Sequence, residues 1–223
     1  RLLGAIAVFR EPMPLEAISG MDMETDLLDD LVEKGLARQA DSENYDVHDL
    51  VREFLTRSME DSLSQSLHAN AAEWYRVRKG NPSESIEYIH HLHMSGDTEG
   101  LAEALSEEGH SLVKAGHIEL LGILRVLEAS LFGPRTRFVI HELTGDILSI
   151  QGRWDEAEEQ YDHALPIAVK HKLTTPLARI YSSRADLAVK KGEMDNALSL
   201  HKKALEMQIK LRDAQGAARS YNN

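Results

Sequence analysis

Apolar positions in this chain recur mostly three and four residues apart, and Gly or Pro closes most of the runs. LLGAIAVFR at 2–10 reads as a short apolar helix ended by Pro12 and Pro14, and Leu15 to Ser19 as a second. Across 24–34, Leu27, Leu28, Leu31 and Val32 share one helical face, with Gly35 as a natural stop. The period then changes. Leu36 to Gln39 and Tyr45 to His48 flank the polar turn ADSEN and read as a small hairpin, after which Asp49 to Arg57 returns to helix.

From Leu63 onward only helical spacing is found. HANAAEWYRVRKG (68–80) ends at Gly80, and Ser83 is placed to cap a helix carrying Ile86, Ile89 and Leu92. SGD at 95–97 breaks that helix, and Leu101 to Ala115 and Ile118 to Leu131 predict two more. Then the chain repeats itself. Gly152 and Gly192 lie forty residues apart, as do Asp155 and Asp195, Ala157 and Ala197, and Ala164-Leu165 and Ala204-Leu205. Ala178-Arg179-Ile180-Tyr181 is matched forty residues on by Ala218-Arg219-Ser220-Tyr221, the start of a third copy. A fixed period of this size marks stacked helical pairs, each burying its apolar face on its neighbours. In each copy a Gly ends one helix, and small Ala side chains five and twelve positions later let the next helix approach closely. This spacing resembles the tetratricopeptide (TPR) repeat, and its length resembles the longer-helix variant of kinesin light chains and MalT-like sensor arms. Thr144 and Arg184 depart from that pattern where an apolar residue is usual, and Pro166 should remove one backbone bond and kink its helix.

Composition suits a nearly all-helical protein: 223 residues, six prolines and 5% aromatics. Cysteine is absent, which excludes disulfides and thiol-ligated metal. No run approaches eighteen apolar residues and no signal-peptide layout opens the chain, so a cytoplasmic protein is expected. Both ends look cut, and the sequence reads as a fragment of something larger. The net charge of −12 disfavours nonspecific nucleic-acid or acidic-membrane binding.

Three short helices followed by a two-stranded wing describe a winged-helix domain at 1–60. Such folds often read DNA with the third helix, but Asp22 to Gly35 carries six acids against Lys34 alone. Residues 1–60 hold fourteen acids and six Lys or Arg, a net of −8, the wrong sign for phosphate contact. LVEKGLARQADSENYDVHDLVREFL instead resembles the winged-helix subdomain that follows the nucleotide-binding core in signal-transduction NTPases with numerous domains, the STAND group, which includes NB-ARC and MalT-like proteins. NB-ARC proteins end this subdomain in a Met-His-Asp motif whose His reaches the β-phosphate of ADP. The corresponding residues are Val47, His48 and Asp49, with Val in place of Met. The resemblance thus implies nucleotide sensing by His48, operating only with a core that this sequence lacks. A purely local reading has His48 bonding nearby while Asp49 caps the next helix.

A search for chemistry finds little. There is no phosphate-cradling GxxxxGK[ST] loop, no GxSxG elbow and no Cys nucleophile, so no catalytic residue is expected and the fragment should not hydrolyse nucleotide. His90, His91 and His93 cluster on one helix, but no HExxH or second ligand set accompanies them. They read as polar residues of a solvated helix, and no metal is expected. The better surface is the concave side of the repeats. Glu142, Leu143, Asp146, Ser149 and Ile150 would face it from one helix, and Arg179, Ser182, Ser183, Asp186 and Lys190 from the next, followed by Arg219, Asn222 and Asn223. Arg179 and Arg219 sit in register and could grip an acidic peptide, or each could pair with an acid on the preceding helix.

The expected architecture is all-α with a minor β wing: a winged-helix domain at 1–60, a linking helical region at 61–133, and a TPR-like α-α superhelix at 134–223. The function expected is that of a regulatory sensor fragment of a STAND-type NTPase. Its arm would bind a protein, peptide or effector ligand, and its winged helix would dock on the absent core. The fragment needs no cofactor itself, with ATP or ADP belonging to the full-length protein. Two rivals are a winged-helix transcription regulator with a TPR sensor and a passive TPR scaffold.

Overall fold

A computed structural model describes residues 1–21, 25–78 and 81–211. Helices dominate, with one small three-stranded sheet, as the sequence pattern demands. The chain divides into two compact units, Arg1–Leu101 and Ala102–Asn223, a boundary that falls inside the 61–133 stretch.

The first unit opens with α1 (Leu2–Val8), β1 (Met13–Pro14) and α2 (Leu15–Gly20), followed by a 3-10 turn at Thr25–Leu27 and α3 (Leu28–Glu33). The expected 24–34 helix is thus split, because Leu27 stays exposed while Leu28 turns into the core. The hairpin forms as β2 (Arg38–Gln39) and β3 (Asn44–Asp46), and β1 adds to its other side, giving the antiparallel order β1-β3-β2. The sequence did not reveal β1. It is two residues long, and Pro14 lacks an N–H, which an edge strand tolerates. Next comes α4 (Asp49–Ser58), whose Arg52 does a structural job. Its guanidinium donates to the Ala7 carbonyl at 2.8 Å and to that of Phe9, closing carbonyls left over at the end of α1, and to Asp46 Oδ1 at 2.5 Å.

The same unit ends in a helical hairpin, α5 (Asp61–Arg76) and α6 (Pro82–Ser95). Asn81, rather than Ser83, caps α6: its side chain accepts from the Ser83 N–H at 3.1 Å, with Pro82 pre-set at the first helical position. Ile6, Phe9, Leu67, Ala71 and Ile89 are at most 1% exposed and form the core these helices share.

The second unit contains most of α7 (Thr98–Lys114), α8 (Leu120–Val126), a 3-10 turn at Ala129–Leu131, and four long helices. The expected 118–131 helix is shorter than its apolar run. Leu127 swings to extended backbone and is buried there, while Val126 and Leu131 remain exposed. The long helices are α9 (Pro134–Ile150), α10 (Trp154–Lys170), α11 (Thr174–Lys191) and α12 (Met194–Lys210), packed as pairs α9–α10 and α11–α12. The repeat is visible in their burial. Residues 161–170 and 201–210 carry the same sequence of buried and exposed positions, place for place. Gly152 and Gly192 hold φ of +77° and +81° at the helix turns, a conformation costly to any side chain with a Cβ. Ala157, Ala164, Ala197 and Ala204 are at most 3% exposed at the helix contacts. Gly145 is tighter still, because a Cβ there would run into the Tyr161 ring.

Two of the three departures from the TPR pattern find local partners. Thr144 is buried with its hydroxyl donating to the Ile140 carbonyl at 2.7 Å, and Arg184 reaches Asp162 at 2.7 Å. Pro166 lies inside α10, which runs on to Lys170. The third copy's start, 218–221, lies outside the described residues.

Candidate ligand groove on the repeat helices

Helices α9 and α11 are the first members of their pairs, and their polar positions meet one another in rungs. At the first rung the Glu142 carboxylate, 1% exposed, takes Arg179 Nε at 3.0 Å and Nη2 at 2.7 Å, and His110 Nε2 lies 2.8 Å from its Oε2. One turn on, Asp146 accepts from the Tyr161 hydroxyl at 2.8 Å and from Ser183. At the third, Lys190 Nζ donates to Ser149 Oγ at 2.8 Å. Ser182 faces α12, where Gln208 Nε2 donates to its hydroxyl at 3.3 Å.

These rungs set contrasting electrostatics. Burial pushes the Glu142 carboxyl up, but hydrogen bonds from His110 and Arg179 and the guanidinium charge outweigh it and hold it below the usual range. Burial likewise disfavours the charged form of Arg179, and the bonds and charge of Glu142 reverse that, raising it. A two-pronged guanidinium–carboxylate bond is the strongest of these contacts. Among the described residues Asp146 makes no ion pair like that of Glu142. Burial first, and the neighbouring Glu142 charge second, push it up to about 6 against the bonds from Tyr161 and Ser183. A carboxyl poised near neutrality beside the partly exposed Arg179 is a natural partner for a donor or cation on a ligand.

Six of the groove positions expected from sequence, those on α11 and beyond singled out for ligand contact, divide as follows. Arg179 is held by Glu142 and still 40% exposed at its side chain, so the pairing with an acid on the preceding first helix is the one formed. Ser183 meets Asp146, and Asp186 lies 3.8 Å from His201 with its side chain 46% exposed. Arg219, Asn222 and Asn223 lie outside the described residues. His110 and Tyr161 complete the rungs and were not anticipated. Tyr161 had a signal available, since the position nine after the repeat Gly holds an aromatic or His ring in both copies.

In the first unit His48 occupies the N-cap position of α4, making no side-chain cap bond and lying exposed beside the fully buried Val47. Asp49 is the first helical residue rather than the cap. The His-rich helix α6 departs from expectation. His91 is 0% exposed and His90 only partly exposed, so the solvated reading fails for them. The cause is the opposite helix: His68 of α5, 2% exposed, comes within 2.8 Å Nδ1 to Nδ1 of His91, and Phe9 and Tyr75 cover the ring at 5.4 and 5.5 Å between centroids. One ligating nitrogen from each of His68, His90 and His91 falls within 4.8 Å of the others. His93 stays outside that group. Desolvation drives all three rings toward neutrality, His68 and His90 to about 4 and His91 to about 2, with neighbouring cations as a lesser cause.

No family model and no curated protein sequence matches this chain. Among solved structures, a STAND protein with a tetratricopeptide repeat sensor from Pyrococcus horikoshii aligns over 98% of this chain at 18% identity, with a TM-score of 0.46. BtubC from P. vanneervenii aligns over 74% at 21% identity, with a TM-score of 0.42. The chain spans 39% of the first and 65% of the second. Both likenesses are too distant to assign a family. Among the described residues, no helix is long and apolar enough to cross a membrane.

Proposed function

We propose that this chain is a regulatory module of a STAND-type signalling NTPase, in which the α9–α12 arm binds a protein, peptide or effector ligand. The observation that carries the reading is the meeting of α9 and α11, whose polar rungs line up turn after turn, with the side chains of Arg179 and Asp186 partly exposed. A ligand that bound one arrangement of the arm better than another would shift the protein between resting and active states.

In this reading the first unit is a winged helix that docks on a nucleotide-binding core elsewhere in the same protein. Support comes from α4. It carries Leu50 and Phe54 one turn apart at 80% and 67% exposure, beside the exposed His48. A docked core would cover the apolar pair and bring the imidazole to a nucleotide phosphate. The chain itself carries no catalytic role and no cofactor, ATP or ADP belonging to the core, and acts in the cytoplasm. The sensor role is tested in the full-length protein by His48→Ala, which should speed ADP release without changing the melting temperature. Unchanged ADP release contradicts the docking half of the proposal. Tight, salt-sensitive binding of the chain to duplex DNA in a gel shift would favour a transcription regulator instead.

A further inference from the structure

We propose that His68, His90 and His91 form a binding site for one divalent transition-metal ion, zinc by preference, that staples α5 to α6. Three imidazoles from two helices already place one nitrogen each within 4.8 Å. Zinc bonds imidazole nitrogen at about 2.0–2.1 Å, so tetrahedral ligands stand roughly 3.3 Å apart. His68 and His91 at 2.8 Å need to part by only about half an ångström, and His90 to close in by more.

The tautomer conflict of the pair is the second observation. A neutral imidazole has one donor and one acceptor. The Nδ1 to Nδ1 contact forces one ring to be the donor and the other the acceptor, so the two buried rings must hold opposite tautomers. A metal taking both Nδ1 lone pairs removes that conflict and sets both rings in the Nε2–H tautomer. An imidazole set without thiolate suits zinc, nickel or copper rather than calcium or magnesium.

Among the described residues, the one fixed charge felt by His90 and His91 is Arg10, and its guanidinium is clasped by Glu87 through bonds of 2.5–3.1 Å, which offsets its repulsion of a cation. The partly exposed His90 supplies the way in.

The test uses the untagged 223-residue chain, stripped of metal and titrated with Zn²⁺ by calorimetry, with Co²⁺ as a visible-absorption reporter. One equivalent should bind, the melting temperature should rise by several degrees, and Co²⁺ should give an intense tetrahedral band. His90→Gln, at the most exposed of the three positions, should weaken binding at least tenfold while keeping the parent's helical circular dichroism. His68→Phe should abolish the Co²⁺ band. His171→Gln, on an exposed histidine elsewhere, should match the parent. The absence of binding at about 100 μM free Zn²⁺ overturns the site, and so does equal binding by the His90→Gln and His171→Gln variants, which would place the ion on other histidines.

Discussion

Tyr161 of α10 and His201 of α12 stand forty residues apart at matching places in their hairpins, yet only one reaches its aspartate. Tyr161 donates to Asp146 at 2.8 Å, whereas His201 Nε2 stops 3.8 Å from Asp186 Oδ1 and both its ring nitrogens are buried without a hydrogen bond. The difference extends to the floor beneath the rings. Gly145 leaves room for the larger ring, and the matching position in the second pair is Ala185. Glu142 corresponds to Ser182, and Ala168 to Gln208, so among the described residues the two places differ in kind: Glu142 holds the Arg179 guanidinium of α11, whereas Ser182 takes a neutral bond from Gln208 of α12. The same backbone therefore carries a charged rung at one place and a neutral contact forty residues on.

The largest effect is expected where charge is most deeply held. Glu142→Ala should cost about 3–5 kcal/mol in urea unfolding, because it strips the acid from Arg179 and His110, whereas Ser182→Ala at the matching place should cost under about 1 kcal/mol. Equal losses would erase the contrast between the hairpins.

Asp146→Asn comes next and works through pH. Burial, with the Glu142 charge beside it, pushes the Asp146 carboxyl up from an ordinary 3.8 to about 6, so the fold favours its protonated form. That contribution is complete below about pH 4 and is lost as pH rises through 6. The Asn variant, fixed neutral, should gain on the parent across that window by up to about 3 kcal/mol. The gain is read as the difference between the two stability curves, and a flat difference removes the poised carboxyl.

Gly145→Ala should cost about 1–3 kcal/mol despite the better helix propensity of Ala, since the new methyl meets the Tyr161 ring. The smallest effect is constructive. His201→Tyr combined with Ala185→Gly should transplant the first pair's bond into the second and recover about 1 kcal/mol over Ala185→Gly alone.

The repeat was legible because it is written in backbone needs. Gly152 and Gly192 must adopt positive φ, and alanines 157, 164, 197 and 204 must be small where helices touch, so spacing alone locates them. The rungs were half legible. Counting the pattern puts Glu142, Asp146, Arg179 and Ser183 on facing helices, but the pairing of Arg179 with Glu142 depends on their offset across two hairpins, thirty-seven residues rather than forty. His68 was out of reach of any local pattern. It lies twenty-three residues from His91, and only the folding back of α6 on α5 joins them. Strand β1 was hidden for another reason, being two residues long and containing a proline.

The most direct test of the central claim is a selection of peptides from a random library on the immobilised chain, followed by calorimetry on groove variants. Ser183→Leu, which also removes a donor to the buried Asp146 carboxyl, and Asp186→Ala should each weaken the selected ligands at least tenfold, with the melting temperature of Asp186→Ala, at a partly exposed position, within about 2 °C of the parent's. Ligands that bind both variants as tightly as the parent would contradict the account, because the face between α9 and α11 would then not be where this arm binds.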